Sequence, residues 1–183
     1  MTAALCLLLV QGTLGAFDTL YFHEWRARLP AGRAQSRSEL LLHAARDAIY
    51  ALLFGTLGWV AWRGAWAWVL LALVASEIVI TLVDFAIEDR VRRPLGGVFP
   101  GERVTHTLMA IVYGAFLAHF LPVVWADARA ATGFEARMAA TPLRLALTAM
   151  GAGVLLSGLR DLYAALDLPR GGWPWPPWRR AGP

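Results

Sequence analysis

The sequence contains no lysine and a single cysteine, Cys6. All seventeen basic residues are therefore arginine, and one cysteine excludes an intrachain disulfide. Charged residues are also scarce, at 16%, whereas hydrophobic residues make up 58% of the 183 residues. An ordinary soluble domain has about half apolar residues or fewer and about 25% charged residues. This composition predicts an integral membrane protein.

Five apolar segments approach the length of about 20 residues that a helix needs to span a bilayer. They cover residues 3–23, 40–62, 66–87, 104–125 and 143–166. We therefore predict an all-α polytopic membrane helix bundle with five transmembrane helices, forming one domain over residues 1–168. In the remaining tail, residues 169–183, the run W-P-W-P-P-W predicts an interfacial anchor, because proline interrupts helices and tryptophan favours the membrane interface.

The arginines concentrate in the first and third connections between these segments: Arg26, Arg28, Arg33, Arg37, Arg90, Arg92, Arg93 and Arg103. Cytoplasmic loops of membrane proteins carry an excess of basic residues. The pattern predicts a bacterial inner-membrane protein with its N-terminus outside and its C-terminus in the cytoplasm. Basic and aromatic residues do not interleave, so the expected partners are membrane lipids and not nucleic acid.

Two stretches of the chain, residues 23–50 and 87–113, share one order of polar residues. In each, a Glu ends an apolar segment, and two arginines and a proline follow. A second Glu opens the next segment, with a His four residues later and a Tyr seven residues after that. This order predicts an internally duplicated helix-loop-helix unit, covering residues of about 3–62 and 66–125. The equivalent pairs are Glu24 and Glu88, Glu39 and Glu102, His43 and His106, and Tyr50 and Tyr113.

The predicted topology places the acidic and histidine residues of four helices at one level, near the cytoplasmic face. Their order, Glu, Glu-His, Glu, Glu-His, resembles the ligand set of ferritin-like di-iron proteins. The resemblance implies two transition-metal ions, with iron expected, bound by Glu24, Glu39, His43, Glu88, Glu102 and His106. The Glu-His spacing is four residues here and three in those proteins, but either spacing keeps the pair on one helix face.

Further polar residues are expected around these ligands, as partners that orient or neutralise them: Arg46, Asp47, Glu77 and Asp84. With an α-helical turn of 100° per residue, His23 and His119 face away from the common face, so both are expected to be packing residues. Tyr50 and Tyr113 are expected to form hydrogen bonds inside the bundle.

By analogy, this ligand set predicts a metal-dependent membrane oxidoreductase that acts on a lipid-soluble substrate. One alternative is a b-type haem electron carrier with His43 and His106 as axial ligands. Another is a non-catalytic ion-coupled carrier or structural subunit, with a buried ion-pair network formed by Glu77, Asp84, Glu88 and Arg46. Glu39 and Glu102 also stand where capping glutamates occur, and Glu39 follows Ser36 at capping-box spacing.

Overall fold

The computed structural model describes residues 1–32 and 34–175, and the protein is mostly helical. The helices are α1 (Thr2–Phe17), which continues as a π-helix (Asp18–Ala27), then α2 (Leu29–Gly32), α3 (Arg37–Thr56), α4 (Ala65–Arg92), which continues as a 3-10 turn (Arg93–Leu95), α5 (Pro100–Asp127) and α6 (Thr141–Ala165). Two short strands, β1 (Val60–Arg63) and β2 (Gly133–Ala136), lie in the connections.

Within the described residues, four helices are long and apolar enough to cross a membrane: Thr2–Ala27, Ala65–Leu95, Pro100–Asp127 and Thr141–Ala165. They are consistent with an integral membrane protein. Helix α3 is 20 residues long but does not join this set, because charges such as Arg37, Arg46 and Asp47 lower its hydropathy. The fifth span therefore stays a prediction.

The second apolar segment, predicted over residues 40–62, ends earlier in the structure. Helix α3 stops at Thr56, and Val60–Arg63 pairs as an antiparallel strand with Gly133–Ala136. Gly64 ends this strand with a φ of +58°, and a Cβ there would lie 2.4 Å from Thr132 Oγ1. The strand pair holds the 3–4 and 5–6 helix connections together at one end of the bundle.

Small residues allow α3 and α6 to pack closely. A Cβ added at Gly158 would lie 2.8 Å from Asp47 Cβ, and one at Gly151 would lie 3.1 Å from the backbone nitrogen of Gly55. Glycine at helix contacts lets backbones approach in this way. Helix α1 packs mainly on α5, and α4 packs on α3. The candidate ligands described below come from α3, α4, α5 and the π-helix that continues α1.

The arginine-rich connections meet at the end of the bundle away from the strands. Arg26 lies over the ring of Phe99 and Arg28 over that of Trp175, each 4.6 Å from the ring centroid. The first and third connections and the start of the tail therefore share one end, as predicted, while the membrane side stays a prediction. Arg33 and residues 176–183, which include part of the predicted interfacial anchor, lie outside the described residues.

Candidate metal centre

A π-helix shapes the first part of the site. In this ten-residue segment, Asp18–Ala27, the backbone bonds run over five residues and the turn is wider than in an α-helix. Asp18 and His23, five residues apart, therefore share a face, and their side chains are buried. His23 Nε2 lies 3.2 Å from Asp18 Oδ2. The expectation that His23 faces away from the site assumed α-helical spacing and does not hold in this segment.

The first group of candidate ligands combines this segment with α5. His23 Nε2 lies 3.2 Å from Glu102 Oε1, and His106 Nε2 lies 3.1 Å from Asp18 Oδ2. One ligand atom from each of the four residues lies within 4.8 Å of the others. We call Asp18, His23, Glu102 and His106 group A.

The second group combines α3 with α4. His43 Nε2 lies 3.2 Å from Asp84 Oδ2 and 3.9 Å from Glu39 Oε1, and one ligand atom from each residue again lies within 4.8 Å of the others. All three side chains are buried. We call Glu39, His43 and Asp84 group B. Two neighbours surround it: Asp161 Oδ2 lies 3.6 Å from His43 Nδ1, and Arg46 Nη1 lies 3.6 Å from Asp84 Oδ2.

The two groups adjoin. The rings of His23 and His43 stack with centroids 4.8 Å apart and planes 10° apart. Arg92, whose side chain is fully buried, donates from Nε to Glu39 Oε1 at 2.7 Å and from Nη2 to Glu102 Oε1 at 2.9 Å. One guanidinium therefore joins a carboxylate of group A to a carboxylate of group B. The sequence places Arg92 in the third connection, outside the apolar segments, and does not predict its burial.

Several buried polar atoms of these groups have no hydrogen-bond partner among the described residues: Asp18 Oδ1, His23 Nε2, Glu39 Oε2 and Asp84 Oδ1. His23 Nε2 is close to two carboxylates but meets neither in hydrogen-bond geometry. An unpaired polar group inside a protein costs about 1–3 kcal/mol. Such atoms, converging from three helical segments, are available to a bound cation.

The two other predicted ligands, Glu88 and Glu24, belong to neither group. Glu88 Oε2 lies 4.0 Å from His106 Nδ1, beside group A. Glu24 belongs to neither group, because both of its oxygens accept hydrogen bonds from Arg160, at 2.5 and 2.9 Å. His119 is exposed, in agreement with its expected position off the common face.

Of the four polar residues that the sequence predicts around the ligands, two lie at group B and two lie elsewhere. Arg46 and Asp84 are at group B, and Asp84 belongs to the candidate ligands themselves. Asp47 is buried against Gly158 of α6. Glu77 lies seven residues before Asp84 on α4, deeper in the bundle, and accepts a hydrogen bond from Thr81 at 2.9 Å.

The capping explanation applies to one glutamate. Glu102 Oε2 accepts the Phe99 N–H at 3.3 Å, so Glu102 caps α5 and faces group A with its other oxygen. Ser36 does not cap α3, because its hydroxyl donates to the Leu29 carbonyl at 2.7 Å. The capping box expected from Ser36 and Glu39 is therefore absent, and Glu39 pairs with Arg92.

Comparison of the chain with models of protein families, with curated proteins and with solved structures gives no match.

Proposed function

We propose that this protein is a metal-dependent membrane oxidoreductase, with one metal ion at group A, one at group B, and a lipid-soluble substrate. The observation that carries the proposal is the convergence of two buried histidines, His23 and His43, and the partly buried His106 with buried carboxylates, some of whose atoms lack partners among the described residues. Buried carboxylates and histidines in membrane helices are costly and mark function.

The donor chemistry supports transition metals of the iron and manganese type. Imidazole nitrogens suit iron and carboxylate oxygens suit manganese. The single cysteine, Cys6, is exposed on α1 and supplies no thiolate ligand to the site. The charge balance points the same way. Around the site, six carboxylates and two guanidinium groups leave a formal excess of four negative charges, if the histidines are neutral: Asp18, Glu39, Asp84, Glu88, Glu102, Asp161, Arg46 and Arg92. Two divalent ions offset this excess.

The proposed ligands differ from the set expected from sequence. Asp18 and His23 enter through the π-helix, and Asp84 becomes a ligand. Glu24 leaves the set because it pairs with Arg160, and Glu88 stands beside His106. The centre then lies at the arginine-rich end of the bundle, which we propose to be the cytoplasmic side of a bacterial inner membrane, with α3 as the fifth span.

Oxygen or redox chemistry on a lipid-soluble substrate follows from the ligand type and the location. Iron bound by carboxylates and imidazoles in a helix bundle is typical of oxygen-activating centres. A centre inside a membrane bundle is reached from the bilayer by apolar molecules. The chain's own residues would bind and orient the metals and keep water from them.

A network of ion pairs is the second candidate, and Arg92 favours it. Its fully buried guanidinium already neutralises part of Glu39 and Glu102, and protonated histidines could supply the rest of the positive charge. This arrangement would fit an ion-coupled carrier or a structural subunit. The haem alternative receives less support, because His43 Nε2 and His106 Nε2 each lie about 3 Å from a carboxylate oxygen, at 3.2 and 3.1 Å.

Metal analysis of the purified protein tests the proposal. After anaerobic reconstitution with iron, we expect about two ions per chain and weak near-ultraviolet absorption without a Soret band. Glu39→Gln removes a ligand charge and should lower the metal content strongly, whereas Glu24→Gln, the matched control, should leave it unchanged. Absence of bound metal in the folded wild-type protein would reject the metal centre and favour the ion-pair network. A Soret band would favour haem.

A further inference from the structure

A second polar cluster lies in the middle of the bundle and takes no part in the proposed metal centre. Glu77 is the thirteenth of the 28 residues of α4, and Tyr113 is the fourteenth of the 28 residues of α5. Gln11 of α1 and Tyr50 of α3 meet them there: the Tyr50 side chain interacts with both Gln11 and Glu77, and Tyr113 interacts with Glu77. We call these four residues the midplane cluster.

Three oxygens of this cluster have no hydrogen-bond partner among the described residues. Glu77 is 3% exposed and Gln11 is 5% exposed. Glu77 Oε2, Gln11 Oε1 and the Tyr113 hydroxyl have no hydrogen-bond partner among residues 1–32 and 34–175. Thr81 binds only the other carboxylate oxygen, at 2.9 Å. One carboxylate oxygen and two neutral oxygens, each from a different helix, therefore remain without a partner.

The charge of Glu77 is also left without a close partner. In the described part of the chain, no arginine or histidine nitrogen lies within the 4.0 Å of an ion pair from it. Arg46, one turn before Tyr50 on α3, interacts with Glu77 through its charge, but its guanidinium pairs with Asp84 at 3.6 Å. A carboxylate at membrane depth costs at least a few kcal/mol unless it is compensated.

We propose that the midplane cluster binds one small monovalent cation of the sodium class. Carboxylate, amide and hydroxyl oxygens are the donors that hard cations prefer. One positive charge balances the single carboxylate of Glu77, whereas a divalent ion would leave an excess charge in the apolar interior. Ion sites of membrane carriers also lie near the bilayer midplane. The site shares no residue with groups A and B, so it stands or falls separately from the metal centre.

The test is the thermal unfolding of the detergent-solubilised, metal-depleted full chain in NaCl, KCl and choline chloride at equal ionic strength. A ligand that binds only the folded state raises Tm in a saturable manner. We expect Na⁺ to raise Tm, K⁺ to act much more weakly and choline to have no effect. Binding of radioactive Na⁺ to the wild-type protein should reach about one ion per chain.

Variants assign the effect to the cluster. Glu77→Gln removes the charge and should abolish the Na⁺ response, and Glu24→Gln, a partly buried glutamate already paired with Arg160, should retain it. Tyr113→Phe removes one neutral donor, keeps the carboxylate and should raise the half-saturating Na⁺ concentration about tenfold, so it keeps the test valid if Glu77→Gln does not fold. Equal effects of Na⁺, K⁺ and choline would overturn the proposal. A Na⁺ response that is unchanged in both cluster variants would also overturn it. A rise in Tm caused by acid alone would overturn it too, because a proton would then neutralise Glu77.

Discussion

His43 Nε2 lies 3.2 Å from Oδ2 of Asp84, which reaches it from the following helix and not from its own. A matching contact joins His106 Nε2 and Asp18 Oδ2, at 3.1 Å. In each pair, the histidine opens the second helix of one predicted unit, and the aspartate comes from the first helix of the other unit. If the two units are copies, neither forms half of the centre alone, and both pairs should respond alike to the same substitution.

Asp84→Asn and Asp18→Asn should lower metal content by similar amounts. Each change removes one carboxylate charge from a candidate ligand, and the loss should exceed the 10–100-fold loss of affinity typical of residues that only orient ligands. Elemental analysis after dialysis against a weak chelator measures it. Asp89→Asn is the control, because Asp89 is exposed and pairs with Arg103 at 2.9 Å. Loss confined to one of the two aspartates would contradict the paired arrangement.

His23→Ala should remove metal as severely as His106→Ala, although the α-helical period predicts a silent substitution. The reason is that the π-helix brings His23 Nε2 within 3.2 Å of Asp18 and Glu102. His119→Ala, an exposed histidine on α5, should retain the wild-type content. Metal content and circular dichroism of the same samples separate loss of binding from loss of fold. Full metal retention in a folded His23→Ala protein would exclude His23 as a ligand.

Arg92→Leu should destabilise the protein strongly. Breaking a buried ion pair by removing one partner costs about 3–5 kcal/mol, and here two carboxylates, Glu39 and Glu102, lose their guanidinium. Arg103→Leu breaks an exposed pair with Asp89, worth about 0–1 kcal/mol. Unfolding free energies in denaturant compare the two variants.

The same pair of variants also separates the two candidate functions. Added divalent metal should restore part of the stability of Arg92→Leu if groups A and B bind ions, since a metal ion can replace the lost positive charge. Equal, small losses in both arginine variants would show that Arg92 is not an internal counter-ion.

Accessibility measurements test the topology. In a Cys6→Ser background, cysteine at Gln35 and at Arg93 should react with a membrane-impermeant reagent from one side only, because both arginine-rich connections share one end of the bundle. Cysteine at Ala131, close to strand β2, should react from the opposite side. All three positions are exposed in the structure. Labelling of Gln35→Cys and Arg93→Cys from opposite sides would separate the helices that form groups A and B.

The helical, membrane-like character of the chain follows from its sequence, because composition and long apolar runs are local properties. The meeting of Glu39, His43, Glu102 and His106 at one end of the bundle also follows, since their spacing places each pair on one helix face. The burial of Arg92 was missed for a physical reason. An arginine at the end of an apolar helix favours the interface, and only the tertiary arrangement of Glu39 and Glu102 makes its burial favourable.

The strand pair and Asp18 illustrate two other limits. The segment Val60–Arg63 is apolar enough to continue a helix, and its pairing partners lie 70 to 76 residues away. Asp18 was visible as a charge inside an apolar segment, which is itself a signal of function. Its pairing with His23 depended on the local helix type, which residue periodicity does not reveal.

The π-helix also accounts for a mismatch in length between the two predicted units. Asp18 and Asp84 are 66 positions apart, as are Gln11 and Glu77, whereas Glu24 and Glu88 are 64 apart. The first unit thus holds two more residues than the second between its Asp and its Glu. Each π-type bond encloses one residue more than an α-type bond, so two such turns take up about two extra residues. We infer that Asp18–Ala27 absorbs an insertion, and that a related chain lacking it would form this region as an ordinary α-helix with its aspartate still at the centre.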